Sequence, residues 1–346
     1  MTLRECRVGD SVGSAINMPI TARPADTEIK KVSVAICICT FKRPVLLGDL
    51  LTAVGQLTFS KSPTPEIKVV VVDNDTLASA KDVCEAARSP LPITYAVEPQ
   101  RGITYARNRA IAEAGSVDFI AFIDDDEVPS TPWLDELLWT QQQFRADVVS
   151  GRVVPRYAAE IASWVKHGEF FERKIGATGT LRSTCATNNV LIKTAVLTSV
   201  SGFDHAFALS GAEDTHFFLR IRQAGFKIVW SEEAAVSELL PAERGTPAWI
   251  LRRDYQTGNG WVFCETDLNP SPQVRAFRLF KSLGHVGIGI FAALWACLRL
   301  NRAALMHSLR RASLGAGMLS ALAGHRFLAY QSAGTAQIPG KISRLC

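Results

Sequence analysis

Three consecutive aspartates, Asp124, Asp125 and Asp126, follow a five-residue apolar run at 119–123. Like charges at the mouth of a buried strand repel one another unless a counter-ion is present. Carboxylate oxygens there suit a hard divalent ion such as Mg2+ or Mn2+. An ion so held bridges phosphate oxygens and neutralises a departing diphosphate. In an extended segment side chains two apart share a face, so Asp124 and Asp126 are expected to point one way and Asp125 the other. The plainer alternative is a solvated acidic turn. A second acidic pair, Glu213-Asp214, stands where a helix is expected to begin. Carboxylates there cap the helix or, with a pKa set by their neighbours, accept a proton. Arg107, with Asn108 in GITYARNRA at 102–110, puts a guanidinium in a helix where it can meet phosphate or a sugar hydroxyl. An exposed helix charge is the alternative for Arg107 and the reading for Arg109.

What must position these groups is an alternation of strands and helices. A run rich in β-branched residues at 32–39 ends in Thr40-Phe41-Lys42-Arg43-Pro44, and Leu46, Leu50 and Val54 follow at helical spacing. The continuous apolar run 67–72 stops at Asp73-Asn74-Asp75, as parallel strands buried on both faces do. A helical stretch at 78–87, a short strand at 93–97, a turn at 100–102, a helix at 103–114 and the strand 119–123 complete the pattern. This is the order of an α/β fold, a doubly wound and mostly parallel sheet. Polar clusters fall at three strand ends, 40–43, 73–75 and 124–127. Ligands of such sheets bind outside the carboxyl ends of the strands, so the clusters point at one cleft. Beyond Pro129 the alternation loosens. Strands are expected at 148–154, 187–192 and 226–230, an irregular segment at 156–184, and a helix from about 211 with Phe217, Ile221 and Ala224 on its apolar face.

A content of 47% hydrophobic and 21% charged residues in 346 excludes a disordered chain. Eight scattered cysteines without a Cys-x-x-Cys pair argue against a disulfide framework or zinc site and for a reducing compartment. Residues 1–30 read as a weakly ordered leader. Glu5, Asp10, Asp26 and Glu28 break any apolar stretch of signal-peptide length, so the catalytic part is expected in the cytoplasm.

Five ordered motifs then carry a resemblance: VAICICTFKRP at 34–44, VVVVDND at 69–75, GITYARNRA at 102–110, FIDDDE at 122–127 and GAEDTHFFLR at 211–220. Together, over about residues 30–260, the chain resembles family 2 glycosyltransferases of the GT-A fold, in particular bacterial exopolysaccharide glycosyltransferases of the succinoglycan type. The resemblance implies a metal-assisted, inverting single displacement from a nucleotide-sugar donor, with UDP the expected carrier. It implies that Thr40, Phe41 and Arg43 line the nucleotide pocket, that Asp73 faces the uracil and that Arg107 approaches the donor. Asp124 and Asp125 would lie on the donor, Asp126 with Asp124 on a Mn2+ or Mg2+ ion, and Asp214 would be the general base with Glu213 beside it. Many relatives supply a metal-binding His after the last core strand. Here the stretch reads Val236-Ser237-Glu238-Leu239-Leu240-Pro241, leaving Glu238 as a stand-in or Asp126 and phosphate alone. The segment 249–261 is similar to the region that closes over the diphosphate, which makes Arg252 and Arg253 donor-binding candidates. The implied domains are a catalytic unit over 31–245, with a donor half at 31–127 and an acceptor half at 128–245, and a helical basic region over 246–346.

From Arg275 to the end the chain has ten Lys/Arg and no Asp/Glu, whereas everything before holds 28 basic and 33 acidic residues. The apolar stretch 283–298, at 1.5 Å per residue, measures about 24 Å against a hydrocarbon core of about 30 Å. With a second apolar stretch at 314–324 and arginines at 299, 302, 310 and 311, it reads as interfacial or re-entrant helices on an anionic leaflet. The expected setting is the cytoplasmic face of the inner membrane, with a glycan or lipid-linked sugar acceptor. Nucleic acid is not an expected partner, since the tail is too apolar to track phosphates. Competing readings are a phosphatase with an Asp124 nucleophile, a sugar-nucleotide-forming enzyme, which would need a Gly-rich loop where Phe41-Lys42-Arg43-Pro44 stands, and a non-catalytic glycan-binding protein.

Overall fold

The computed structural model describes residues 31–172 and 175–329; the expected leader at 1–30 and the tail's last cations, Lys341 and Arg344, lie outside the described residues. The chain runs β1 (Ser33–Thr40), α1 (Pro44–Val54), β2 (Glu66–Asp73), α2 (Lys81–Ala86), β3 (Ile93–Val97), α3 (Ile103–Ala114), β4 (Phe119–Ile123), β5 (Glu127–Pro129) and α4 (Trp133–Phe144). It continues through β6 (Val148–Tyr157), α5 (Ser163–His167), β7 (Leu181–Arg182), β8 (Asn189–Lys193), α6 (Thr194–Val200), α7 (Glu213–Gln223) and β9 (Ile228–Leu240). Three long helices follow, α8 (Pro247–Leu268), α9 (Pro272–Leu298) and α10 (Arg302–Leu322).

The apolar runs form strands buried on both faces. Ile36, Ile38, Val69 and Val71 meet Leu47, Leu50, Trp133 and Leu137 of α1 and α4. The residues between them, Ala35, Cys37, Val70 and Val72, meet Ala106 and Ala110 of α3 and Phe217, Phe218 and Ile221 of α7. Each large apolar side chain so buried contributes about 1.5–3 kcal/mol. The sheet order is β3-β2-β1-β4-β8-β6-β9-β5, with β7 on β9. The first four strands are parallel neighbours. The antiparallel strand β8 then joins β4 to β6, and β6 runs parallel to β9. The expected α/β architecture is present, with its parallel block over β3, β2, β1 and β4.

Helix α4 and the length of strand β9 are among the differences from the sequence expectation. The helix α4 occupies the stretch where the alternation loosens, because its buried Asp135 and Glu136 interrupt the apolar pattern. Asp135 accepts from the backbone amides of Ser60, Lys61 and Ser62, which holds its carboxyl below the usual range. Strand β9 continues ten residues past Trp230, to Leu240, after a bulge opposite Gly151 and Arg152. Asn189 fills that bulge: its amide donates to the carbonyls of Arg152 (2.9 Å) and Ala234 (2.8 Å), and its oxygen accepts from the Trp133 indole (2.8 Å). Gly151 is required there, since a Cβ would collide with the Ala234 carbonyl.

The expected C-terminal helical region is also present, capped by Thr246, Ser271 and Asn301. The apolar stretch at 283–298 is not a separate short helix, however. Ser271 and Pro272 start the helix earlier, so α9 has 27 residues and a length of about 40 Å. By length and composition it is long and apolar enough to cross a membrane, with 22% of its apolar window buried.

Candidate active site

The carboxyl ends of β2, β1 and β4 lie side by side, with Thr40 in register with Asp73. Thr40 donates its hydroxyl to Asp125 (2.7 Å). Arg43, just past β1, donates one nitrogen to both Asp125 and Asp126 at 3.0 Å. The three aspartates form a turn and not an extended segment: the Glu127 amide donates to the Asp124 carbonyl (3.2 Å). Their side chains therefore do not alternate between two faces, and one guanidinium reaches the neighbours Asp125 and Asp126 together.

Two further carboxylates converge here. Strand β5 pairs with β9 so that Glu127 is opposite Glu238. Arg244 pairs with Glu238 and lies 3.5 Å from Asp126. Glu127, almost wholly buried, accepts from the Asn188 amide (2.7 Å). Burial pushes the carboxyls of Asp124, Glu127 and Glu238 up, and their mutual repulsion with Asp126 adds to the rise. Asp124 rises to about 7, desolvation being the largest cause and Arg107 opposing it. Water moderates that rise, because 47% of its side chain is open to solvent.

The other half of the site hangs on α3 and α7. Arg107, 7% exposed, donates to Glu213 at 2.5 Å and approaches Asp124 at 3.9 Å, with its guanidinium over the Phe203 ring. Glu213, 4% exposed, is thus committed to Arg107, while Asp214 next to it stays partly open. Gly102 starts α3 with φ 137°, a conformation that needs glycine; Asn74 fixes it by accepting from its amide and donating to the carbonyls of Glu98 and Gln100.

The remaining candidates are placed as follows. Asp73 is fully buried and accepts from the amides of Asp75 and Ala80 and the hydroxyl of Tyr95, so in this state its carboxylate shapes the loop after β2. Phe41 is exposed at the rim. Arg253 acts on Glu238 electrostatically, whereas Arg252 turns to the Phe327 ring. Asn74, Glu127, Asn188 and Arg244 were not among the candidates. Asn74 and Glu127 stand within the motifs VVVVDND and FIDDDE; Arg244 and Asn188 carry no local signal, because long-range pairing brings them in.

Asp124, Asp126 and Glu238 offer hard carboxylate oxygens of the kind a divalent cation takes, and the raised carboxyls of Asp124 and Glu238 mark an excess of negative charge that such an ion would relieve. A second group, Asp204, His216 and Asp267, has ligand atoms within 4.8 Å of one another. There His216 already bonds Asp267 (3.0 Å), and Arg220 and Arg326 lie in the field of both aspartates.

A family model described as glycosyl transferase family 2 matches residues 35–207. The chain is 31% identical over 294 residues to the succinoglycan biosynthesis protein ExoM of Rhizobium meliloti (strain 1021), covering 84% of this chain and 92% of that protein. It is 26% identical over 242 residues to the glucosyl-dolichyl phosphate glucuronosyltransferase of Haloferax volcanii, covering 66% and 75%. Among solved structures, the mannosyltransferase PcManGT from Pyrobaculum calidifontis, in complex with GDP-Man and Mn2+, shares the fold with a TM-score of 0.56 at 19% identity, over 84% of this chain and 86% of that one.

Proposed function

Because the chain belongs to glycosyl transferase family 2, we propose that it moves a sugar from a nucleoside diphosphate, with UDP as carrier, to a hydroxyl of a glycan or lipid-linked acceptor. The observation that carries this reading is the position of Arg107, whose guanidinium links Asp124 at the strand ends to Glu213 at the start of α7. Donor-side and acceptor-side carboxylates are thereby tied to one buried cation. Asp214, the partly open member of its pair, takes the proton of the acceptor hydroxyl. As that oxygen bonds to the anomeric carbon, the carbon's bond to the diphosphate oxygen breaks, and the centre inverts. Glu213 holds Arg107. Thr40 and Arg43 fix Asp125 on the nucleotide side with Phe41 at the rim, and Asp73 shapes the loop that borders the base. Arg43, Arg244 and Arg253 are cations available to the diphosphate, with Arg252 beside Arg253 on α8. A Mn2+ or Mg2+ ion on Asp126 and Asp124, with Glu238 completing the donors, would supply Lewis-acid stabilisation of the leaving group.

The likeness to a succinoglycan biosynthesis protein supports a place in exopolysaccharide or cell-surface glycan synthesis. The exposed apolar face of α9 and the acid-free basic tail support work at the cytoplasmic face of the inner membrane. The test is donor hydrolysis with UDP-glucose, UDP-galactose, UDP-N-acetylglucosamine and GDP-mannose, in Mn2+ with and without chelator. One donor is expected to be consumed only with metal, and Asp126→Asn and Asp214→Asn should each lower its turnover by about 10²-fold or more. Full turnover in both variants would refute the mechanism.

A further inference from the structure

Two consecutive residues with left-handed backbone, Gly211 (φ 72°) and Ala212 (φ 65°), stand immediately before Glu213 and Asp214. A side chain disfavours that conformation, so it persists at Ala212 only where the surroundings hold it. Helix α8 does so. Gln256, Gly260 and Cys264 recur every four residues and share one face of α8. A Cβ on Gly211 would lie 2.9 Å from the Gln256 amide nitrogen, and a Cβ on Gly260 would lie 2.6 Å from the Ala212 Cβ. The Cys264 thiol donates to the Ala212 carbonyl at 3.3 Å. The opposite face of α8 is equally close to α10, with Gly258 under the Leu314 carbonyl and Gly317 under that of Tyr255. Helix α8 therefore has no freedom to retreat from the turn.

We infer that Gly260 is a positioning residue for the general base: its bare backbone is the surface on which Ala212 rests, and this contact fixes where Asp214 stands. The inference rests on the reading of Asp214 as the base. Carbon atoms need about 3.5–4.0 Å between them, so any side chain at 260 pushes the Gly211-Ala212 turn away by roughly 1 Å. The Glu213 bond to Arg107 leaves little room to absorb that shift. A displacement of about 1 Å in a catalytic group costs about 10²-fold in rate. The nucleotide-side groups Thr40, Arg43 and Asp125 stand on other strand ends and are not displaced.

The full chain carrying Gly260→Ala is compared with the unmodified chain, using whichever of the four sugar nucleotides is hydrolysed fastest. The expected result is a fall in kcat of about 10²-fold, with unchanged KM and unchanged affinity for the matching UDP or GDP. Adding Ala212→Gly removes the colliding Cβ, suits φ 65°, and leaves the new methyl 3.9 Å from the Ala212 Cα; the double variant should recover most of the lost kcat. Unchanged kcat in Gly260→Ala would overturn the inference. So would a loss that Ala212→Gly does not relieve, or one matched by lost nucleotide affinity. If Gly260→Ala does not fold, the double variant must fold and turn over, and its failure counts against the inference. Asp214→Asn in the same series separates the two ideas: if it keeps full rate, the base assignment itself has failed, whatever Gly260 does.

Discussion

Asp124 is held between opposing demands. Arg107, 3.9 Å away, favours its charge, while burial and the neighbouring Asp126, Asp125 and Glu238 disfavour it, and the carboxyl rises from 3.8 to about 7. Glu127 and Glu238 move in the same direction. A carboxyl raised in the native state binds its proton more tightly than the unfolded chain does. Its stabilising contribution is therefore present at low pH and is lost as pH rises from about 4 towards 7. The metal-free chain should accordingly melt at a progressively lower temperature between pH 5 and pH 8. Asp124→Asn should flatten part of that slope while lowering donor turnover, and added Mn2+ should raise the melting temperature most at the alkaline end, where the ligands are ionised. Calorimetry at four pH values, with and without Mn2+, reads all three. A melting temperature that climbs with pH in the metal-free chain would contradict this account of the site. The triplet itself was legible in the sequence because three like charges follow an apolar strand. The turn that turns Asp125 and Asp126 towards Arg43 was not, since it depends on Thr40 and Glu127, which lie on different strands.

At the scale of elements, β9 shows how a local irregularity serves the site. Its continuation to Leu240 places Glu238 opposite Glu127, and that register exists because Asn189 satisfies the two carbonyls freed by the bulge. Asn189→Ala would leave the half-buried Arg152 carbonyl and the buried Ala234 carbonyl and Trp133 indole without these partners, and each unsatisfied buried group costs about 1–3 kcal/mol. The expected loss is about 3 kcal/mol or more, read as a lower urea midpoint with unchanged slope, together with weaker Mn2+ dependence of donor hydrolysis as Glu238 loses its register. Wild-type stability in this variant would mean that the bulge is held by other contacts. The strands β1, β2 and β4 were readable from the sequence because burial on both faces leaves a continuous apolar run. The far half of β9 was not: Ser231, Glu232 and Glu233 end the apolar run, and only pairing with β5 and β6 makes 235–240 a strand. Likewise α4 hides behind Asp135, whose charge is satisfied by backbone amides from 60–62.

For the whole molecule, the proposed membrane contact has to join a net-acidic body to an anionic surface through its basic end. Helix α9 buries one stripe, Arg278, Ser282, Gly289, Ala293 and Ala296, and leaves Phe280, Phe291 and Trp295 73%, 73% and 54% exposed. Arg278 pairs with Glu265 of α8, and the rest of the buried stripe lies on α10, with Gly289 against Ala312 and Gly315 against Ser282. That partner carries Arg302, Arg310 and Arg311, and Arg310 pairs with Asp254 of α8. Standing α9 across a bilayer would draw those arginines into hydrocarbon at about 2.5–3.5 kcal/mol each. Lying in the interface instead buries the aromatic face and sets the exposed Arg275, Lys281 and Arg299 among anionic headgroups. Replacing Phe280, Phe291 and Trp295 together by Ser removes three large apolar groups worth about 1.5–3 kcal/mol each on burial, which should weaken binding to vesicles containing anionic lipid by about a thousandfold or more. The melting temperature should move little, because Phe280 and Phe291 are largely exposed and Trp295 packs on the exposed Arg299 guanidinium. Raising salt should weaken the unmodified protein's binding further, and neutral vesicles should bind it less. If the triple variant still floats with the vesicles, α9 is not the contact. If it is released but keeps donor hydrolysis while losing transfer to a lipid-linked acceptor, the membrane serves to present the acceptor and not to assemble the donor site.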